Sequence, residues 1–187
     1  MPSIKTAKIA ILATDGFEQS ELLEPLTQLR KAGAEVHVLS PKDGTITGWD
    51  TDHWGETVEV DKRLSEVRTT DYDALVLPGG QINPDKLRAD PKVVSFVREF
   101  YNSKKPLAAI CHAPWLLVEA DVLHDREVTS YASIKTDVKN AGGNWVDKEV
   151  VVDEGLITSR NPGDLPAFIA KIIEEVEEGP HTDREAA

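Results

Sequence analysis

The chain has 187 residues, of which 40% are hydrophobic and 29% charged, a balance typical of one soluble globular domain with a full core. Its net charge of −12 argues against an extended nucleic-acid interface, because affinity for nucleic acid depends mainly on cations that neutralise phosphates. Cys111 is the single cysteine, which rules out an internal disulfide and favours a cytoplasmic location, and we expect no membrane span and no signal peptide.

The first half of the chain predicts apolar strands and one amphipathic helix. The run Lys8–Ala13 predicts a strand buried on both faces, and leucines at helical spacing predict a helix over Phe17–Ala32 that stops at Gly33. Pro25 lies inside this helix and predicts a kink or a broken first turn. Further strands are predicted at Glu35–Ser40, at an edge position over Thr57–Val60 within the irregular stretch 41–61, and at 73–77 before a Pro-Gly-Gly turn.

The second half continues the alternation of strands and helices. Helices are predicted at Lys92–Ser103, Pro114–Ala120 and Gly163–Glu177, and short strands at Leu107–Ile110 and near Val128, Val146, Val150–Val152 and Ile157. This alternation predicts an α/β domain over 1–178, with a mostly parallel sheet covered on both faces. Residues 179–187 predict a polar, disordered tail.

Cys111 directly follows the predicted strand Leu107–Ile110 and precedes a predicted helix. A strand that turns sharply into a helix exposes the side chain at the turn above the edge of the sheet, and it needs small residues two positions before and after. Ala109 and Ala113 occupy those positions. The pattern therefore predicts a nucleophile elbow, although a buried cysteine that acts as a small hydrophobe is the commonest alternative.

Other groups with suitable chemistry belong to loops at the same edge of the sheet. His112 is a candidate base or acid, or simply a residue at a helix start. The N–H groups of Gly79, Gly80 and His112 are candidate donors to an oxyanion, although Pro-Gly-Gly is also a common turn. Glu18 either complements a helix dipole or, if it lies against Cys111, hydrogen-bonds the thiolate. A helix start beside Cys111 predicts a lowered thiol pKa.

The sequence contains no motif for a bound cofactor or metal. It has neither a G-x-G-x-x-G that opens the first helix nor a G-x-x-x-x-G-K-[ST], and no Cys/His spacing suits a zinc site. We therefore expect no cofactor and no metal.

Seven segments together resemble the PfpI-type intracellular peptidases and protein deglycases. This family belongs to a superfamily that shares a flavodoxin-like three-layer sandwich with class I glutamine amidotransferases. The segments follow the family's order up to about residue 175 and begin at Asp15, Gly44, Asp71, Lys105, Thr129, Asn140 and Thr158.

The resemblance implies a role for four side chains. Cys111 matches the nucleophile, His112 its adjacent histidine, and Glu18 the glutamate that hydrogen-bonds the cysteine. Asp85 matches the third acid, which in the peptidases reaches the site across a subunit contact, but it is shorter than the more usual glutamate. The peptidase triad is therefore the less secure part of the match.

Two aromatic residues complete the predicted site. Tyr131 aligns with a tyrosine near the family's pocket, and Trp115 either forms a wall of the site or, as the more common arrangement, packs under it in the core.

The resemblance implies a stress-response enzyme that acts on small aldehydes or glycated proteins without a cofactor, as a homodimer or hexamer. A PfpI-type peptidase and a redox sensor that oxidises at Cys111 are the alternatives.

Overall fold

The computed structural model of the chain describes residues 3–187, and its centre is a sheet of seven strands between two layers of helices. The strands are β1 (Lys8–Leu12), β2 (Phe17–Glu18), β3 (Glu35–Ser40), β4 (Thr45–Asp50), β5 (His53–Glu59), β6 (Lys62–Arg63), β7 (Ala74–Leu77), β8 (Leu107–Ile110), β9 (Glu127–Val128), β10 (Asn144–Trp145), β11 (Val150–Asp153) and β12 (Leu156–Ser159). The helices are α1 (Gln19–Ala32), α2 (Ile82–Arg88), α3 (Pro91–Asn102), α4 (Pro114–Glu119), α5 (Lys135–Asn140) and α6 (Leu165–Glu178).

The strand order in the central sheet is β11-β12-β8-β7-β1-β3-β6, and only β11 runs antiparallel to its neighbour. Alternate side chains of β1 point to opposite faces of the sheet and belong to two separate hydrophobic cores. Ile9 and Ile11 pack with α1 and α6, whereas Ala10 and Leu12 pack with α2, α3, α4 and α5. The predicted α/β sandwich with a mostly parallel sheet is confirmed. In such a sheet the loops after β1, β7 and β8 meet at one edge.

Three local features differ from the sequence predictions. Residues Phe17 and Glu18 form β2, so the first helix begins at Gln19, and it continues without a break across Pro25. The stretch 41–61 contains the β4–β5 hairpin, which pairs with β2 in a small separate sheet. The short helices α2 and α5 were not predicted.

The segment 179–187 is packed on the domain rather than disordered. The side chain of Arg184 is fully buried and donates hydrogen bonds to the backbone carbonyls of Glu154, Tyr101 and Lys105. Composition could not predict this packing, because the segment is polar and a single residue, Arg184, anchors it. No helix within residues 3–187 combines the length and apolar character needed to cross a bilayer.

Candidate active site

Cys111 follows β8 directly and has a left-handed backbone conformation, with φ of 64°. Its N–H donates to the carbonyl of Ser159 at 3.0 Å, and its carbonyl accepts from the N–H of Tyr131 at 2.8 Å. Such a conformation costs a non-glycine residue about 1–3 kcal/mol and persists only where the surroundings hold it. Ala109 and Ala113 are fully buried on either side. The chain thus forms the predicted elbow, and α4 begins at Pro114.

Cys111 lines a cavity of about 400 Å³ at the carboxyl edge of the sheet, and only 6% of its surface is exposed. The other residues that line this cavity are Gly16, Glu18, Glu21, Trp49, Thr51, Gly80, Gln81, Ile82, His112, Tyr131 and Pro162. A larger groove of about 770 Å³ lies between α1 and α6, but neither cysteine nor histidine lines it. Because Cys111, the candidate nucleophile, lines the smaller cavity, we place the candidate site there.

The imidazole of His112 lies beside the thiol and is held from several sides. Its Nδ1 is 3.1 Å from Cys111 Sγ, and its Nε2 is 3.1 Å from the hydroxyl oxygen of Ser133. The ring stacks on Tyr131 with centroids 4.6 Å apart and meets the edge of Trp115 at 5.3 Å. Burial lowers the pKa of His112, so the imidazole is neutral near pH 7. A neutral ring with a proton on Nε2 donates to Ser133 and leaves Nδ1 free to accept the thiol proton.

Glu21 on α1 is the carboxyl group that interacts with the thiol. It is fully buried, and its Oε2 accepts the N–H of Gly79 at 2.7 Å. Its Oε1 has no hydrogen-bond partner among residues 3–187. Burial, with a smaller contribution from the charge of Glu18, raises the pKa of Glu21 to about 8. The group is therefore mainly a neutral carboxylic acid at pH 7.

Glu18 does not form the hydrogen bond to Cys111 that the resemblance implies. It lines the same cavity, but its Oε1 accepts from the hydroxyl of Ser20 at 3.2 Å. Glu18 precedes the first turn of α1, whereas Glu21 lies on the buried face of that helix. The helix therefore places Glu21, one turn later, against the nucleophile.

The thiol of Cys111 has a raised pKa, contrary to the lowered one predicted from its position before a helix. Burial is the main cause, followed by the negative charge that Glu21 carries once it ionises, above about pH 8. The N–H groups of Gly80 and His112 donate toward the sulfur and act in the opposite direction. The helix that follows has six residues and begins only at Pro114, so its dipole does not outweigh burial. The resting group is a thiol, and it needs a base in order to react.

The two glycines after β7 have different roles. The N–H of Gly79 is already bonded to Glu21, so it is not the free oxyanion donor that the sequence predicted. A Cβ at Gly79 would lie 2.5 Å from Glu21 Oε2 and 2.8 Å from the Cβ of Cys111, so only glycine lets these two side chains meet. The N–H groups of Gly80 and His112 remain as donors directed at the sulfur.

Asp85 does not reach His112 within its own chain. Its carboxylate lies on α2, is 63% exposed and pairs with Arg88 at 3.3 Å. The position that a third acid would take, beside Nε2 of His112, is occupied by Ser133.

Trp115 is half-buried and is absent from the lining of the cavity. Its indole N–H donates to Asp137 at 2.8 Å, and the guanidinium of Arg88 lies 4.6 Å from its ring centroid. The residue therefore supports His112 from the side of the core, whereas Tyr131 lines the cavity and is 41% exposed.

Three residues of the site, Glu21, Ser133 and Trp49, were not predicted from the sequence. Glu21 carried a usable signal, because it shares the buried face of α1 with Pro25 and Leu29 at spacings of four residues. A carboxylate on an apolar helix face is uncommon outside functional sites. Ser133 and Trp49 carried no comparable signal.

Comparisons of the sequence and of the structure with known proteins point to one family. The sequence pattern described as the DJ-1/PfpI family matches residues 7–175. Protein/nucleic acid deglycase 2 of Escherichia coli (strain K12) is 50% identical over 164 residues, which cover 86% of this chain and 92% of that protein. Putative cysteine protease YraA of Bacillus subtilis (strain 168) is 44% identical over 162 residues, covering 86% and 93%. A crystal structure of a two-domain protein with DJ-1/ThiJ/PfpI-like and ferritin-like domains from Anabaena variabilis has a TM-score of 0.87 at 36% identity, over 96% of this chain and 52% of that one.

Proposed function

Because the chain belongs to the DJ-1/PfpI family, we propose that it is a cysteine enzyme for reactive dicarbonyl aldehydes, such as methylglyoxal, and their protein adducts. The observation that carries this proposal is the contact of 3.1 Å between Cys111 Sγ and His112 Nδ1, beside the protonated Glu21 and inside a cavity of small-molecule size. A relative that is 50% identical bears the name protein/nucleic acid deglycase 2.

The first step is addition of the thiol to the aldehyde carbon. His112 Nδ1 takes the thiol proton while sulfur forms a bond to carbon, and the carbonyl oxygen takes up the electron pair. The N–H groups of Gly80 and His112 lie on the side of the sulfur and are the donors available to that oxygen. When the substrate is a protein adduct, the sulfur forms its bond to the adduct carbon as the carbon–nitrogen bond breaks. The amine then leaves with the proton that His112 took from the thiol.

The second step is an internal redox reaction that needs no cofactor. Transfer of hydrogen from the sulfur-bearing carbon to the adjacent carbonyl carbon oxidises the first and reduces the second, which gives a thioester. Water then hydrolyses the thioester to a 2-hydroxyacid and restores the thiol. His112 is the base within reach for the proton transfers, and its bond to Ser133 holds the ring in place.

Glu21 lets the thiolate form in a buried site. As a neutral acid it adds no negative charge beside the sulfur, and its otherwise unpaired Oε1 is available to donate a proton to the thiolate. Above pH 8 the same group carries a charge that opposes ionisation of the thiol.

Peptidase activity is the less favoured alternative. Peptide cleavage requires an imidazolium that protonates a poor leaving group, and a carboxylate on the far side of the ring normally stabilises it. Here that partner is the neutral hydroxyl of Ser133, and Asp85 is paired with Arg88. A sensor role is also less favoured, because the thiol is buried and its pKa is raised.

The test is release of 2-hydroxyacid from methylglyoxal and from methylglyoxal-treated N-acetylarginine, together with a casein assay. Cys111→Ala and His112→Ala should reduce hydroxyacid release at least about a hundredfold, the usual scale for loss of a general base. The matched control is His124→Ala, since that side chain is 81% exposed and outside the cavity. Casein cleavage without hydroxyacid release would favour the peptidase, and full activity of Cys111→Ala would refute both. Assembly as a homodimer or hexamer is also a proposal, and the mass of the protein in solution, measured by light scattering, would test it.

A further inference from the structure

Glu18 and Trp49 lie side by side in the cavity that contains Cys111. They are direct partners in the parallel pairing of β2 with β4, so their side chains project from the same face of the small sheet. The neighbouring pair, Phe17 and Gly48, belongs to the opposite face, where a Cβ at Gly48 would come within 2.9 Å of the buried Phe17 ring. The register of the two strands thus places a carboxylate beside an aromatic ring in the site.

The indole ring of Trp49 is held in place by its own hairpin. Its N–H donates to the carbonyl of Thr51 at 3.2 Å. The ring also meets that of Trp54 nearly at right angles, with centroids 5.3 Å apart. These contacts limit the rotamers open to the side chain, so a ligand that stacks on the ring costs little additional entropy.

The cavity is acidic, and neither lysine nor arginine is among the residues of 3–187 that line it. Glu18 accepts a hydrogen bond from the hydroxyl of Ser20 at 3.2 Å. Burial raises the pKa of Glu18 and the charge of Asp50 adds to this, whereas the hydrogen bonds from Ser20 oppose it. A half-buried carboxylate in such surroundings is stabilised by a cation. The lining therefore favours a ligand that carries positive charge.

The cavity is larger than a small aldehyde requires. Its volume of about 400 Å³ falls in the range of sites that hold drug-sized molecules, and methylglyoxal is much smaller. Ile82 and Pro162 add apolar surface to the lining, on which the methylene groups of a long side chain can pack. The site thus has room for the amino-acid side chain that carries an adduct, as well as for the adduct itself.

The adducts of methylglyoxal with different side chains differ in charge and shape. The adduct of a cysteine is a neutral hemithioacetal, and that of a lysine has at most a compact ammonium group. The first adduct of an arginine keeps a planar, delocalised cation, which pairs with carboxylates and also stacks on aromatic rings. Only the arginine adduct therefore makes full use of both Glu18 and Trp49.

We propose that Glu18 and Trp49 form a subsite for the guanidinium group of arginine, so that the enzyme prefers arginine adducts to those of cysteine and lysine. This inference rests on the proposed function and adds its substrate class. The carboxylate of Glu18 accepts N–H bonds from the guanidinium, and the plane of the cation stacks on Trp49. Because both residues share one cavity with Cys111, these contacts hold the adduct carbon in the compartment of the nucleophile.

The first test measures binding without turnover, in the Cys111→Ala chain. The probes are Nα-acetylarginine amide and its neutral isostere Nα-acetylcitrulline amide, and NMR titration should show that the arginine probe binds at least about fivefold more tightly. This preference should be lost in Glu18→Gln and in Trp49→Leu and retained in Trp49→Phe, which keeps an aromatic face. The matched control is Glu24→Gln, which removes an exposed acid of α1 outside the cavity and should keep the preference.

The second test measures turnover in the active chain. We take kcat/KM for methylglyoxal-treated Nα-acetylarginine amide and divide it by kcat/KM for methylglyoxal. This ratio should fall at least about fivefold in Glu18→Gln and stay unchanged in Glu24→Gln.

Two results would overturn the subsite. One is equal binding of the two probes, and the other is an equal loss of preference in Glu18→Gln and Glu24→Gln, which would indicate diffuse attraction to an acidic protein. The tests also separate the subsite from the proposed function. Selective binding in a chain that releases no hydroxyacid would support the guanidinium subsite and refute the proposed function, and hydroxyacid release without selective binding would do the reverse.

Discussion

Replacing Glu21 with glutamine should lower the pKa of the Cys111 thiol. Glutamine keeps an oxygen that accepts the N–H of Gly79 and places an amide donor near the sulfur, but it never becomes charged. Two unit charges about 4 Å apart repel by roughly 4 kcal/mol at an effective dielectric constant of about 20, which corresponds to about 3 pKa units. We therefore expect the thiol pKa to fall by about 2–3 units in Glu21→Gln.

The assay is the rate of alkylation by iodoacetamide as a function of pH, which reports the thiolate fraction of the single cysteine. Glu18→Gln is the matched control, because Glu18 lines the same cavity but is hydrogen-bonded to Ser20. It should shift the thiol pKa by less than half as much. Equal shifts in the two variants, or no shift in Glu21→Gln, would refute the assignment of Glu21 as the acid beside Cys111.

The same substitution should change how stability depends on pH. The pKa of Glu21 is raised from 4.5 to about 8 in the folded chain, so between these values the folded state holds a proton that the unfolded state has released. Stability therefore falls as pH rises through this window, by up to about 1.4 kcal/mol per pH unit from this group. Urea titrations at pH 5 and pH 8 should show a smaller loss of stability in Glu21→Gln. An unchanged difference would contradict the raised pKa of Glu21.

Three further substitutions test other contacts of the site. Ser133→Ala removes the hydrogen-bond partner of His112 Nε2. Because such a bond is worth about 0.5–1.5 kcal/mol, kcat/KM for hydroxyacid release should fall roughly 2–10-fold. An unchanged kcat/KM would mean that this bond does not position the ring. Asp85→Asn should leave kcat/KM within about twofold, since Asp85 pairs with Arg88, whereas a tenfold loss would show that it completes the site from another subunit. Gly79→Ala should destabilise the fold by about 1–3 kcal/mol in urea titrations, because its Cβ would clash with Glu21, and normal stability would contradict the close packing there.

The central sheet and the elbow could be predicted from the sequence because both depend on local patterns. Apolar runs mark the buried strands, and Cys111 follows one of them between two alanines. The distinction between Glu18 and Glu21 depends on where α1 begins. Boundaries of elements are the least certain part of any assignment from sequence, and an error of two residues rotates a helix by about half a turn.

Other parts of the structure depend on contacts between distant segments. Ser133 meets His112 only because the loop after β9 returns to the elbow. The β4–β5 hairpin is positioned in part by Asp15, whose carboxylate accepts the N–H of Thr47 at 2.9 Å. The burial of Arg184 requires carbonyls from two separate parts of the chain. Such contacts leave no local pattern in the sequence. The stretch 41–61 was therefore predicted to be irregular and the segment 179–187 to be disordered.

The most direct test of Cys111 as the nucleophile is detection of the covalent bond that it forms with the substrate during turnover. Protein mixed with methylglyoxal and quenched in acid within the turnover time can be digested and analysed by mass spectrometry. We predict a mass increase of one methylglyoxal on the peptide that contains Cys111, absent from Cys111→Ala, which should also be inactive. Hydroxyacid formation by Cys111→Ala, or a turnover-linked adduct on another residue, would contradict nucleophilic attack by this thiol.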